Sequence, residues 1–302
     1  MDTPKVIGLA GFGLEVPDLE VAAKFYAAFG LDAHLQDDWL GLRSPGRPQD
    51  EAVIVHGARK RLHHLSFTID AADENRFAEK LQKAGMQVVG APAGGHRPGL
   101  WFQDPWGTWI NLTPGTAPPL AVPAASEDRI DVARWQKLRR DPKPTRIGHM
   151  LMFTPDYPKA EAFFTDVLGL RTTDRAAGKV SFMAAGSGVI DHHCFGLIPS
   201  THRGYQHASF QVGSIDDIGF GAASMAKAGY KEGFGLGRHA LASNLFHYVR
   251  DPWGSWIEYY CDMDKISDKW QTRDWNELPY IWGPEWSPEF WGKQMNGNFE
   301  PS

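Results

Sequence analysis

The sequence contains few cysteines, since Cys194 and Cys261 are the only two among 302 residues. They form no Cys-X-X-Cys pair, so the pattern predicts neither a disulfide framework nor a cysteine-based zinc motif. Free thiols at this low frequency are typical of a reducing compartment. We therefore expect a cytoplasmic protein.

Long apolar runs and an excess of positive charge are also missing. No stretch approaches the roughly 20 apolar residues that a membrane-spanning helix needs. The 31 basic residues are outnumbered by 36 acidic ones, which gives a formal charge of −5. This balance leaves no basic surface of the kind that binds nucleic acid or anionic lipid. We expect neither of these partners.

An internal repeat dominates what is present. The segment DPWGTWINL begins at Asp104, and a near copy, DPWGSWIEY, begins at Asp251. Upstream, GLEVPDLEVAAKFYAAFGL (13–31) matches LMFTPDYPKAEAFFTDVLGL (151–170), in which Pro-Asp separates a strand from a helix that ends at glycine. Self-similarity on this scale indicates a duplicated structural unit.

Each copy has the order strand, helix, several strands, helix and strands. This order predicts an α+β fold with mainly antiparallel sheet, because steady alternation of strands and helices would be needed for a parallel one. We predict an N-terminal domain over residues 1–113, a linker over 114–145, a C-terminal domain over 146–265, and an aromatic-rich tail over 266–302 that packs on the body.

Comparing the two copies of the repeat shows which chemically reactive side chains occur in only one of them. Their alignment pairs three strand positions of the second half with three of the first: His149 with Gly11, His207 with His64, and Glu258 with Asn111. Polar side chains on the inner face of a sheet need partners, since a bare buried carboxylate costs several kcal/mol. Two imidazoles and one carboxylate around a divalent ion would satisfy one another and leave about three coordination positions open.

Further motifs surround these three positions in the second half. They are IGHM with His149, DHHCFGL with His193, YQHASF with His207, GLGRHALASNLFHY with His239 and Tyr248, and SWIEYY with Glu258. With these motifs and its duplication, the chain resembles the two-domain type I extradiol catechol dioxygenases of the vicinal oxygen chelate (glyoxalase/bleomycin resistance) superfamily. The resemblance implies tandem βαβββ modules in two similar barrel-like domains, of which only the C-terminal one binds metal.

The resemblance also implies roles for individual residues. His149, His207 and Glu258 would bind Fe(II), for which Mn(II) is a chemically similar alternative. His193 would act as a catalytic acid or base, and His239 and Tyr248 would bind the substrate oxygens and help to ionise them. The implied partners are a small aromatic diol and O2, and the family's habit suggests a homo-oligomer. The implied function is extradiol (meta) cleavage of a catechol or substituted catechol to a 2-hydroxymuconic-semialdehyde-type product, in the degradation of aromatic compounds.

Three alternatives stay open on the sequence. An oxygenase similar to 4-hydroxyphenylpyruvate dioxygenase would share the duplicated modules and the His-His-Glu set. A glyoxalase-type isomerase would use a closed-shell metal, usually with a fourth protein ligand. A non-enzymatic ligand-binding member of the same superfamily would need no metal. The resemblance also has a gap, since Ala240, Leu241 and Ala242 stand where many biphenyl-diol-cleaving members have Thr-Asn-Asp.

Overall fold

The computed structural model of the chain describes residues 3–120, 143–176, 178–276 and 280–285. The predicted linker of residues 114–145 lies largely outside these ranges. Among the residues within them, no helix has the length and apolar character to cross a membrane.

The first half contains seven strands and two α-helices, with a short 3₁₀ turn at Ala71–Asp73 before the second helix. The strands are β1 (Gly8–Val16), β2 (Asp32–Leu35), β3 (Trp39–Arg43), β4 (Ala52–His56), β5 (Arg61–Ile69), β6 (Leu100–Gln103) and β7 (Trp109–Pro114), and the helices are α1 (Leu19–Phe29) and α2 (Glu74–Lys83). They form one sheet in the order β2-β3-β4-β1-β5-β7-β6. We call this sheet the first barrel.

The second half repeats this arrangement. Its elements are β8 (Arg146–Thr154), α3 (Tyr157–Ala162), β9 (Arg171–Ala176), β10 (Val180–Ala184), β11 (Ile190–Asp191), β12 (Phe195–Pro199), β13 (Gly204–Gln211), α4 (Ile215–Lys227), β14 (Gly233–His239), β15 (Leu245–Arg250) and β16 (Trp256–Cys261). The sheet runs β9-β10-β12-β8-β13-β16-β15-β14, in which the first seven strands follow the first-half order and β14 is an additional strand. This sheet is the second barrel, and the predicted α+β fold with duplicated modules is confirmed.

The tail adds three short strands to the second half: β17 (Lys265–Ile266), β18 (Arg273–Trp275) and β19 (Tyr280–Trp282). Strand β18 pairs with β9 and β19 pairs with β14, so the tail extends the sheet at both of its edges. Trp275 and Tyr280 are five residues apart, and an extended chain of that length spans at most about 18 Å. The two edges of the second sheet therefore approach each other, as closure into a barrel requires.

The first helix of each half follows the same local rules with one difference. The Asp18 side chain caps α1 by accepting from Val21 N at 2.9 Å, and Gly30 ends the helix at φ 99°. The equivalent segment of the second half has one residue more between Pro-Asp and glycine. A five-residue π-helical turn (Phe163–Val167) follows α3 there. Since a π-turn takes one extra residue without shifting the flanking elements, the repeat keeps its geometry.

The two halves share one hydrophobic core, which is a continuous cluster of buried residues from both barrels. The ring of Tyr259 stacks on Phe29 with 3.8 Å between centroids, and its hydroxyl donates to Phe29 O at 2.8 Å. A buried ion pair joins Lys60 of the first half to Asp251 of the second. These contacts fix the second barrel against the first, so the inner face of the second barrel has a rigid frame.

Candidate metal centre

Three neighbouring strands of the second barrel carry the predicted ligands. His149 lies on β8, His207 on β13 and Glu258 on β16. Strand β13 runs between the other two, and its Ser209 is the register partner of both His149 and Glu258. Because alternate residues of a strand share a face, His207 and Ser209 point the same way. The sheet register thus brings the three ligands to one level of the inner face.

The ligand atoms converge on a single point. His149 Nε2 lies 2.9 Å and His207 Nε2 3.6 Å from the same carboxylate oxygen, Oε2 of Glu258. One ligand atom from each residue lies within 4.8 Å of the other two, and all three side chains are buried. Three donors with this spacing can bind one divalent ion.

The hydrogen-bond partners of the ligands favour a cation at that point. Gln206 Oε1 contacts Nδ1 of His207, and since an amide oxygen only accepts, Nδ1 carries the hydrogen and Nε2 keeps its lone pair. Burial lowers the pKa of His207 to about 3, so the imidazole is neutral near pH 7. A lone pair directed at the fully buried carboxylate of Glu258 is repulsive unless a positive charge lies between them. A divalent ion supplies that charge, and two neutral imidazoles with one carboxylate suit Fe(II) or Mn(II).

A serine orients the carboxylate ligand. Ser209 Oγ donates to Glu258 Oε2 at 2.5 Å, and both residues are fully buried. Partners of this kind fix a ligand's orientation and contribute to metal affinity. The alternation of side chains along β13 is enough to put Ser209 on the same face as His207, but it does not reveal the bond to Glu258.

His193 lies against the ligand set without belonging to it. Its ring is 4.6 Å from that of His149 and 4.5 Å from that of Phe182, measured between centroids. Burial lowers the pKa of His193 well below its ordinary value. A neutral imidazole at this point can accept a proton from a group bound beside the metal ligands.

His239 and Tyr248 flank the carboxylate on the opposite side. Tyr248 is the cross-strand partner of Glu258, and its hydroxyl lies 3.3 Å from His239 Nε2. His239 Nε2 is in turn 3.4 Å from Glu258 Oε1, and its side chain is 15% exposed, in contrast to the buried ligands. Burial raises the pKa of Tyr248 well above its ordinary value, so the phenol keeps its proton and can donate it. The six residues singled out from the sequence therefore occupy one region of the second barrel.

In the first barrel an arginine side chain lies beside the position that corresponds to His149. Arg97 reaches across its inner face and donates to the carbonyl oxygens of Asp50 and Ala10. A Cβ built on Gly11, at the position of His149, would lie 2.6 Å from the Arg97 guanidinium. A fixed protein cation therefore fills this site, where the second barrel has its ligand imidazole.

Two more side chains of the first barrel stand at positions that correspond to Tyr248 and Glu258 of the second. Trp101 stands where the repeat has Tyr248, and its ring packs 5.1 Å from that of His64. Asn111 donates to two carbonyl oxygens of its own half, Pro98 O and Leu100 O. Sequence reasoning missed Arg97, although aligning the DPWG turns would have paired it with Asn244.

Comparison with known proteins agrees with this architecture. The family model for the glyoxalase/bleomycin resistance protein/dioxygenase superfamily matches residues 8–112 and 146–259. The chain is 38% identical to metapyrocatechase 2 of Cupriavidus necator over 92% of its own length and 89% of that protein's. It is 27% identical to an iron-dependent extradiol dioxygenase of Rhodococcus jostii, over 83% and 86% of the two chains.

Among solved structures, the substrate complex of homoprotocatechuate 2,3-dioxygenase from Brevibacterium fuscum superposes with a TM-score of 0.77. The match covers 99% of this chain and 97% of the other at 19% identity, which is a likeness of fold. The duplicated sheets, the two matched segments and the 38% identical relative lead to one conclusion. The chain belongs to the glyoxalase/bleomycin resistance protein/dioxygenase superfamily.

Proposed function

We propose that the protein is a metal-dependent extradiol dioxygenase that opens the ring of a catechol next to its two hydroxyl groups. The observation that carries this proposal is the convergence of His149, His207 and Glu258 on one buried point, with acid–base groups on both sides. The 38% identity to a metapyrocatechase, a catechol 2,3-dioxygenase, supports the same reaction. Relatives named for iron and for manganese support either ion as cofactor.

His149, His207 and Glu258 would hold a divalent ion with three of its coordination positions, which leaves other positions for the substrates. A bound divalent iron or manganese would supply Lewis acidity and electron transfer between a catecholate and O2. All three side chains are buried, so reactants at this ion would be fixed inside the second barrel. Fixing two reactants next to each other removes much of the entropic barrier to their combination.

The flanking residues handle protons and orientation. His193 is neutral and accepts a proton from one hydroxyl of the diol. Tyr248 keeps its own proton and donates a hydrogen bond to an ionised substrate oxygen. His239, 3.3 Å from the Tyr248 hydroxyl and partly exposed, holds the same oxygen at the entrance side. These roles for the three residues belong to the proposal.

The atoms of the reaction balance without a further reductant. One carbon–carbon bond beside the diol breaks, and both atoms of O2 enter the product as a new carboxylate oxygen and a new carbonyl oxygen. The catechol supplies the electrons, so the only co-reactant is O2. The product is of the 2-hydroxymuconic semialdehyde type, which is coloured.

Oxygen uptake tests the proposal. Protein loaded anaerobically with Fe(II), and separately with Mn(II), is mixed with catechols of different ring substitution and with 4-hydroxyphenylpyruvate. We expect one O2 consumed per catechol, together with a yellow product. Glu258→Ala should abolish both signals, and Asn111→Ala, at the matching position of the first barrel, should leave them intact. Bound metal without uptake on any catechol would contradict the proposal, and uptake with 4-hydroxyphenylpyruvate alone would replace it with that oxygenase.

Two expectations accompany the proposed activity. The protein is proposed to act as a homo-oligomer and in the cytoplasm. Light scattering coupled to size-exclusion chromatography would measure the first, and cell fractionation the second.

A further inference from the structure

A chain of three buried side chains lies behind the acid–base group His193. His192 Nε2 is 2.8 Å from Asp174 Oδ2, and His192 Nδ1 is 3.1 Å from His193 Nδ1. Asp174 is 3% exposed and His192 1%, so water does not compete for these contacts. The chain connects the edge strand β9 to the wall of the metal centre.

The chemistry of the three groups fixes the direction of their hydrogen bonds. An ionised carboxylate only accepts, so the hydrogen between Asp174 and His192 is on Nε2 of His192. An imidazole whose single hydrogen is on Nε2 has a lone pair at Nδ1. Since one hydrogen must lie between the two facing Nδ1 atoms, His193 provides it. The other nitrogen of His193, Nε2, is left with the lone pair.

We propose that Asp174 is a positioning residue that acts through His192 to hold His193 in its Nδ1–H tautomer, so that Nε2 accepts the proton of the bound diol. This inference rests on the proposed function for its catalytic part. The tautomer itself is a property of the protein alone.

The tail holds the Asp174 carboxylate in the orientation that this chain needs. Its second oxygen, Oδ1, accepts from Trp275 Nε1 at 3.0 Å and from the backbone N of Arg273 at 3.2 Å. The ring of Trp270 lies edge-on to His192 at 5.5 Å, and its Nε1 donates to Thr173 O at 3.0 Å. With one oxygen bound by the tail and the other by His192, the carboxylate cannot rotate. Strand β18 is therefore part of the machinery that orients His193.

The first barrel provides an internal comparison. In the alignment of the repeats, Leu35 stands where the second half has Asp174, and it is 46% exposed. The carboxylate thus occurs only in the barrel that also has the complete ligand set.

Asp174→Asn should reverse the hydrogen bonds rather than merely weaken them. The two tail donors require an oxygen at their position, so the amide group of the new residue faces His192. An amide donates to Nε2 of His192, which moves the hydrogen of His192 to Nδ1. His192 then donates to His193, and His193 becomes the Nε2–H tautomer, which has no lone pair at the reacting nitrogen.

The test is ¹⁵N NMR of the metal-free protein labelled at histidine, with the His193 signals assigned from their loss in His193→Gln. We expect the Nδ1–H tautomer of His193 in the wild type and the Nε2–H tautomer in Asp174→Asn. In the Fe(II)-loaded enzyme we expect kcat for a catechol to fall about 10²- to 10⁴-fold in Asp174→Asn, the range for loss of a general base, with KM little changed. Asp274→Asn is the matched control, because Asp274 neighbours Trp275 on β18 but is 68% exposed and pairs with Arg175 at 3.5 Å. It should change neither the tautomer nor kcat.

Two results would overturn the inference. One is a wild-type His193 in the Nε2–H tautomer, which requires no variant to be folded. The other is an Asp174→Asn protein that keeps both the wild-type tautomer and the wild-type kcat. A wild-type enzyme without oxygen uptake would instead contradict the proposed function, and the NMR measurement would still decide the role of Asp174.

Discussion

Removing the Ser209 hydroxyl tests whether the second barrel is built around a metal ion. Ser209 and Ser66 are equivalent residues of the repeat, on β13 and β5, and both are fully buried. Ser209 donates to the Glu258 carboxylate at 2.5 Å, whereas Ser66 Oγ has no hydrogen-bond partner among the described residues. The substitutions Ser209→Ala and Ser66→Ala therefore remove the same atom from the same kind of strand, with and without a carboxylate beside it.

The expected loss of metal affinity follows from the negative charge of the Glu258 carboxylate, to which Ser209 donates. A hydrogen bond to a charged group contributes about 1.5–3 kcal/mol. Glu258 is fully buried, so no water replaces the lost donor. Loss of a residue that supports a metal ligand lowers affinity by about 10- to 100-fold, which equals about 1.4–2.8 kcal/mol. The two ranges agree, and we expect Ser209→Ala to weaken metal binding by this factor.

The change in metal affinity is measured by competition with a chelator of known affinity. The experiment is done anaerobically with Fe(II) and in air with Mn(II). Ser66→Ala should leave the metal affinity unchanged and should not lower the free energy of unfolding, since it deletes a buried hydroxyl without a bond. Equal affinities of the two variants for metal would refute the reasoning. So would a loss in Ser66→Ala as large as that in Ser209→Ala.

Three more predictions concern the frame around the site. Asp251→Asn leaves the buried Lys60 ammonium without its carboxylate, so the free energy of unfolding in urea should fall by about 3–5 kcal/mol; an unchanged midpoint would contradict this. Burial raises the pKa of Asp191, but its basic neighbours lower it below the ordinary value. A carboxyl group with a lowered pKa in the folded protein stabilises the fold at any pH above its unfolded pKa of about 3.9. This stabilisation is lost as the pH falls through the folded pKa. Thermal midpoints of wild type and Asp191→Asn should thus differ at pH 7 and converge as the pH falls below the folded pKa of Asp191. A difference that stays constant with pH would contradict this. The double change Gly11→His and Asn111→Glu should not create a second metal site, because the Arg97 guanidinium lies where the new histidine would have to fit. Two equivalents of bound metal per chain would show that reasoning to be wrong.

Much of the architecture could be predicted because local rules and the repeat agree. Asp18 and Gly30 bound α1 as their residue types suggest, and the aromatic residues of that helix are buried on one face. The alternation on β13 fixes which side chains share the inner face. Glu258 could be selected because a carboxylate replaced Asn111 in an otherwise repeated strand.

Other features depend on contacts between residues far apart in the sequence, which no local pattern contains. The tail strands β18 and β19 have three residues each, too few for an alternation to be visible. Their pairing on the two edges of the second sheet is decided by tertiary geometry. Likewise, Asp174 carries no motif, and its importance follows from the indole of Trp275 and the imidazole of His192 that meet its two oxygens.

The two barrels show how one scaffold can be stabilised in two ways with different consequences. Each has buried polar groups on the same strands, and a different positive charge can lie beside each set. In the first barrel that charge is Arg97, a fixed side chain whose donors are bound to Asp50 O and Ala10 O. A guanidinium has no open coordination position at which a substrate could bind. In the second barrel the equivalent of Arg97 is Asn244, which brings no charge. A divalent ion held by His149, His207 and Glu258 would supply the charge there, and it would keep coordination positions for a substrate.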